Sequence, residues 1–428
     1  VPSYFEIIGS SARATAGGVV NTAVGAKNMV VRGAVGAKDL VVDGAIGAKD
    51  GVVWGANSAK AAIARKSEDI KAGTLNRLAQ KQSDGLKAGQ ALMTPEERQH
   101  GYDVARKSML GELSSLPKSA TQQCITSAKA QRRKERMELV NTALESCPDC
   151  LVEAQRLRGN MDEVENMRCA KHVYIANDQN VPAELRDNPP PGFIKATEAQ
   201  LESMQLSQDM LTPEGSQFRA AVYMKDPAVW GPNPDPAAVI TFRGSTPDKE
   251  DWDNNFAQGV DREAPYYKRA VEIGNRLAAS RSKVRIVGHS LGGGLASAAQ
   301  GGSGLDASTY NAAGLHPNTV ARYSQDREHL QAEAPRIAAF RIEGEVLTKT
   351  QESLWGSKGV SAVSHGAVGI KHDLKPAHDR RYFEENDKIR ANKDDNYEGY
   401  LHGMDQVIAA TEKQKETDEN ALKGCLAK

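Results

Sequence analysis

The sequence predicts a mixed architecture: a largely helical region up to about residue 170, then an α/β domain with a mainly parallel central sheet. The α/β prediction rests on short β-branched runs (`AAVITFRG`, `KVRIVGH`, `DASTYNAAG`, `IAAFRIEGEV`) that alternate with helical stretches from residue 171 onward. The helical prediction rests on an 11-residue repeat near the start and on two long helical patterns flanking `SCPDC`. Four units are expected in order: 1–66, a glycine-rich repeat helix; 67–118, a polar helical linker; 119–170, a cysteine-bearing helical hairpin; and 171–428, the α/β domain.

Composition narrows the function classes. With Lys plus Arg and Asp plus Glu both at 55, the formal net charge is zero, which argues against nucleic acid as a partner. No apolar run approaches the ~18 residues that an ordinary membrane-spanning helix needs. The opening `VPSYFEIIGSSARATAGG` has no basic start followed by a long apolar core, so no secretory signal peptide is expected. The first residue is Val1 rather than Met, and a trimmed start is expected.

In the first unit, `AVGAKNMVVRG`, `AVGAKDLVVDG` and `AIGAKDGVVWG` repeat with a period of 11 over residues 23–55. Three turns at about 3.67 residues each stack equivalent positions along an almost straight helix. Val30, Val31, Val41, Val42, Val52 and Val53 then share an apolar arc opposite Asn28, Asp39 and Asp50. The glycines cost roughly 1 kcal/mol each relative to alanine in a free helix, so this segment needs a surface. Two surfaces suit it: a membrane or secretion chaperone, or the body of the protein itself.

Between the two long helices of the third unit, Pro148 and Asp149 make `CPDC` a turn. An antiparallel hairpin brings its outer ends together, so Cys124 is expected beside Cys169, as a disulfide or as free thiols. Zinc is a second reading of Cys147-Pro-Asp-Cys150 and a redox centre a third. No second CxxC or His pair at finger spacing accompanies it, so no metal is assigned.

The chemistry centres on `RIVGHSLGGGLASAA`, residues 285–299. Gly288-His289-Ser290-Leu291-Gly292 fits G-x-S-x-G between a β-branched strand and a small-residue helix. A turn this sharp crowds the positions two before and two after the serine, so Gly288 and Gly292 fit there, and Ser290 is presented as a nucleophile. The amide of Leu291, at the helix start, is a candidate oxyanion donor. Ser245, after the strand in `VITFRGSTPDKEDWDNNF`, is the candidate for the second.

`FRGS` at 242–245 followed by `DW`, then `GHSLGGGLAS`, then `YNAAGL`, resembles the class 3 (fungal-lipase-like) lipases of the α/β-hydrolase superfamily. Within them it is most similar to a bacterial branch of lipase or phospholipase effectors of contact-dependent secretion. The resemblance covers residues 172–412. It implies an α/β-hydrolase fold with its nucleophile, acid and histidine in that chain order. Glu345 of `AFRIEGEVLT` occupies the acid's place after a strand and a glycine, where Asp is commoner, and Glu343 is the alternative. His402 of `YLHGMDQVIAATEKQ` enters a late amphipathic helix and is the expected base, ahead of His365, His372 and His378.

The resemblance further implies a serine carboxylic-ester hydrolase that acts on lipids without a cofactor, an A-type phospholipase first. A glycerol-ester lipase or small-ester esterase is the alternative, and a membrane- or partner-binding protein with an inert hydrolase fold is the alternative of another class. Trp252 and Phe256, spaced i, i+4, fall where this family carries its lid, and their aromatic ridge suits a membrane-facing lid or core packing equally. Phospholipid and a membrane surface are the expected partners, along with an immunity protein and a secretion chaperone or carrier. The expected location is outside the producer, delivered into the periplasm or to the membrane of a target cell.

Overall fold

A computed structural model describes residues 75–85, 94–176, 181–324, 332–348, 365–387 and 397–427, with positions 73, 87, 178 and 179 beside them. The 11-residue repeat lies outside the described residues. Thr94 opens helix α1 (Pro95–Leu110) with a reciprocal capping box to Glu97. Helices α2 (Gln122–Ser146) and α3 (Leu151–Ile175) follow, joined by a single turn at Pro148–Cys150 as the `CPDC` turn predicts. Helix α3 runs unbroken past residue 170.

Among the described residues seven strands make one sheet in sequential order: β1 (Phe193–Lys195), β2 (Ala220–Lys225), β3 (Ala238–Phe242), β4 (Val284–His289), β5 (Ala307–Tyr310), β6 (Ile337–Ile342) and β7 (Ile370–Leu374). The pairings from β3 to β7 are parallel, while β1–β2 and β2–β3 are antiparallel. Between strands run α4 (Lys249–Gly259), α5 (Pro265–Ala279) and α6 (Leu291–Ser303). The chain closes with α7 (Tyr397–His402) and α8 (Met404–Leu426).

The central strands are apolar on both faces because both are covered, as parallel strands require. Ala238, Ile240, Phe242 and Ile286 pack with Ile273 and Leu277 of α5 and Leu295 and Ala299 of α6. Their alternates Val239 and Val287 pack on the other face with Val164 and Met167 of α3 and Val407 and Ile408 of α8. The molecule is thus layered α/β/α. Gly274 lets α5 and α6 approach closely, since a Cβ there would meet the Ala299 carbonyl oxygen at 2.2 Å. Among the described residues no helix is long and apolar enough to cross a membrane.

Helices α3 and α8 are laced by polar pairs along their length: Arg156 with Asp418 at 2.9 Å, Asn160 with Gln414 at 2.7 Å, and Lys171 with Asp405 at 2.8 Å. Arg168, fully buried, bridges Glu165 and Glu412.

The expected pairing of Cys124 with Cys169 is corrected here. The disulfide joins Cys147 to Cys425, 278 residues apart, while Cys124, Cys150 and Cys169 are free. The ion pairs Lys129–Glu165 and Arg133–Asp162 fix the hairpin register and bring Cys124 level with the last turns of α3, as expected. The two thiols face different ways, however. Cys169 is buried in the layer between α3 and the sheet, and Cys124 is exposed.

Candidate active site

Strand β4 delivers Ser290 to α6 through a strained turn. Its φ of 57° and ψ of −126° are rare for a residue with a Cβ, the kind of outlier that clusters at functional sites. The flanking glycines are needed sterically. A Cβ on Gly288 would lie 2.0 Å from the Gly292 carbonyl oxygen, and one on Gly292 would lie 2.1 Å from that of Phe242. The G-x-S-x-G spacing therefore has its cause in backbone packing.

Three chain segments meet at this turn. His402 Nε2 lies 3.1 Å from Ser290 Oγ, and His402 Nδ1 lies 2.7 Å from Glu345 Oε2. Ser290, His402 and Glu345 are all buried. Glu345 also accepts from the amide of Leu347 at 2.9 Å and from that of Thr348. Burial pushes the Glu345 carboxyl up, but His402 and these amides outweigh it and hold the acid below its ordinary value. Because a carboxylate only accepts, His402 carries its proton on Nδ1, and Nε2 is left to accept from Ser290. Glu343 is exposed. The three alternative bases pack elsewhere: His372 on Phe340, His378 on Tyr382, and His365 against His316.

The loop after β3 wraps the same turn. A Cβ on Gly244 would lie 2.4 Å from the His289 carbonyl oxygen and 3.2 Å from Ser290 Cβ, so Arg243-Gly244-Ser245 runs directly beside the serine. Ser245 is buried, and Leu291 is the first residue of α6, where amides lack an intrahelical acceptor. Asp251 fastens this loop by accepting from the amide and the hydroxyl of Thr246, both at 2.7 Å, and from Tyr266 at 3.0 Å.

Trp252 and Phe256 share one side of α4, with ring centroids 6.2 Å apart. Trp252 is turned inward. It packs with Ala79, Val173 and Tyr174 and donates Nε1–H to the Thr246 carbonyl at 3.0 Å. These are core contacts, and helical residues 75–85 lie over them, with Ser83 donating to the Pro247 carbonyl at 2.5 Å.

Two residues at this site escaped the sequence reading. Asn311, just past β5 with φ 40°, donates to the backbone carbonyls of Leu401 (3.2 Å) and His402 (3.0 Å) and accepts from the Ile342 amide at 2.9 Å. His289, fully buried, meets the His402 carbonyl with Nε2 at 2.9 Å and Tyr174 Oη with Nδ1 at 3.1 Å. Burial, and then repulsion between it and a protonated His402, push its pKa well below the ordinary value, so it is neutral with Nε2 as donor. Its position inside the motif and the asparagine of `YNAAGL` were the available signals. A hollow of about 990 Å³ between Lys283, Asp306 and Arg336 opens at the amino ends of the parallel strands, away from Ser290.

Residues 165–380 match the family model for the Tle-like phospholipase domain. That span is just over half of the chain. The chain belongs to this phospholipase-like family. It is also 30% identical over 255 residues to an extracellular phospholipase A1 of Serratia liquefaciens, covering 59% of this chain and 71% of that protein. It is a lipid-ester hydrolase. The family match includes Ser245, Ser290 and Glu345 and ends before His402, so the histidine's claim rests on its geometry.

Proposed function

We propose that the chain is a serine phospholipase of A type with the α/β-hydrolase fold of class 3 lipases, working through Ser290, His402 and Glu345. One observation carries this reading: a buried imidazole hydrogen-bonded on one side to a serine at a strained strand-to-helix turn and on the other to a carboxylate. In the proposed mechanism His402 Nε2 takes the Ser290 proton as Oγ attacks the ester carbonyl, and Glu345 stabilises the imidazolium. The amides of Leu291 and Ser245 hold the tetrahedral oxyanion. The lysophospholipid alkoxide leaves with the proton from His402, and water activated by the same nitrogen then releases the fatty acid from Ser290.

We propose further that the enzyme works outside the cytoplasm of its producer, as an effector that needs an immunity protein there. The Cys147–Cys425 disulfide supports an oxidising compartment, and the extracellular relative supports export. Lipid mass spectrometry of mixed bacterial phospholipids tests the activity. Wild type should release fatty acid and lysophospholipid, and Ser290→Ala should release neither above about a thousandth of that rate. Fatty acid from neutral glycerides alone would favour a glycerol-ester lipase.

A further inference from the structure

The disulfide has a third cysteine beside it. Cys147 caps the end of α2, Cys150 begins α3, and Cys425 lies in the last turn of α8. Their three sulfurs lie within 4.8 Å of one another. The turn brings them together, because Pro148 starts a single 3-10 turn in which the Cys150 amide donates to the Cys147 carbonyl at 3.1 Å. Cys147 is buried, while Cys150 and Cys425 are partly open to solvent. A tetrahedral metal site needs a fourth donor, and no further His, Cys, Asp or Glu completes the group among the described residues. What the three sulfurs form without another ligand is a disulfide with a resident attacking thiol.

The geometry points to a built-in thiol–disulfide exchange site that tethers or releases the carboxyl end of α8. Cys150 loses its proton to solvent and its thiolate attacks Cys147 Sγ. The Cys147–Cys150 bond forms as the Cys147–Cys425 bond breaks, and Cys425 leaves as a thiolate and takes up a proton. One disulfide is consumed and one is formed, so no outside oxidant or reductant enters. The product is a CxxC disulfide confined to the hairpin turn. It leaves α8 without a covalent hold, although Leu422 still packs against Val140, Ala143 and Leu157.

The tether sits at the far end of a helix whose near end carries the site. His402 is separated from α8 by Gly403 alone, and the α3–α8 polar pairs run from Arg156–Asp418 near the sulfurs to Lys171–Asp405 near His402. The exchange therefore sets how firmly the helix behind His402 is anchored at its other end. It does not depend on Ser290 or His402 being catalytic.

The test uses the full chain, oxidised, with no added thiol. Wild type is held at pH 8.5, quenched in acid, alkylated and mapped without reduction. Peptides linked Cys147–Cys150 should appear, with alkylation of Cys425 rising in step with protection of Cys150. Cys425→Ser should form the Cys147–Cys150 disulfide in air. Trypsin should cut it after Lys413, Lys415 or Lys423 about tenfold faster than Cys150→Ser, which keeps the tether.

The proposal is overturned if Cys150 stays fully alkylatable in wild type at pH 8.5, or if Cys425→Ser keeps two free thiols at Cys147 and Cys150. It is overturned equally if the new link is Cys150–Cys425, which leaves the helix tethered, or if the two variants are cut at the same rate.

Discussion

Replacing Glu345 by Gln tests the acid with almost no change of shape. In the wild type both carboxylate oxygens accept: Oε2 from His402 Nδ1 at 2.7 Å and from the Leu347 amide, and Oε1 from the Thr348 amide. Glutamine offers one carbonyl oxygen and one NH2. If its oxygen faces His402, its NH2 points at the Thr348 amide, donor against donor. If it is flipped, the NH2 opposes the Nδ1–H and favours the wrong tautomer. The charge is lost in either orientation. An imidazolium about 3 Å from a carboxylate at an effective dielectric near 20 is stabilised by about 4–6 kcal/mol, of which the amide dipole restores part. A remaining loss of about 4–5 kcal/mol predicts a fall of roughly 10³–10⁴ in kcat/KM on a soluble short-chain ester. The Glu343→Gln control, at an exposed position, should stay within about twofold of wild type. Activity of Glu345→Gln within tenfold of wild type, or a larger loss in Glu343→Gln, would refute the assignment of the acid.

Asn311→Ala removes both donations to the Leu401 and His402 carbonyls and the acceptor for the Ile342 amide. Thermal denaturation should show a loss of about 1–3 kcal/mol, and kcat should fall about tenfold or more with KM little changed, because the base loses its support but the substrate site does not. Acid sensitivity should begin well above the carboxylate range. His172 is fully buried, and desolvation, with the nearby charge of Lys195, pushes its pKa down to about 4. The unfolded chain then binds the extra proton between about pH 6.5 and 4, so stability falls as pH drops through that window, by roughly 3 kcal/mol. Melting temperatures of wild type and His172→Gln from pH 7 to 4 check this, and the variant should show the shallower slope.

The site was legible in the sequence wherever steric or chain-order rules leave residue-level marks. Gly288 and Gly292 announce the turn because backbone oxygens lie where their Cβ atoms would be. Glu345 and His402 followed from the order and placement that the class 3 lipase resemblance implies, and the structure brings both to Ser290. The sheet was legible from β-branched runs covered on both faces. Its antiparallel edge at β1 and β2 was not, because alternation with helices says nothing of a strand outside it.

Facing direction was the recurrent gap. The i, i+4 spacing puts Trp252 and Phe256 on one side of α4, but it does not tell whether that side meets solvent or Val173 and Tyr174. Hairpin spacing likewise levels Cys124 with Cys169 while leaving their azimuths free. The approach of Cys425 depends on the return of α8, 278 residues after Cys147. Asn311 and His289 act on a backbone carbonyl, which any residue at 402 would supply, so their places in `YNAAGL` and inside the motif mark the residues without showing what they hold.

Ser290 Oγ, activated through His402, is the proposed nucleophile. A fluorophosphonate probe read by intact mass and tandem sequencing tests it most directly. One adduct per chain is expected, carried by the peptide holding Ser290, absent in Ser290→Ala and at least about a hundredfold slower in His402→Ala. An active enzyme that takes no adduct, or that carries it on another serine while Ser290→Ala keeps its phospholipase activity, would contradict it.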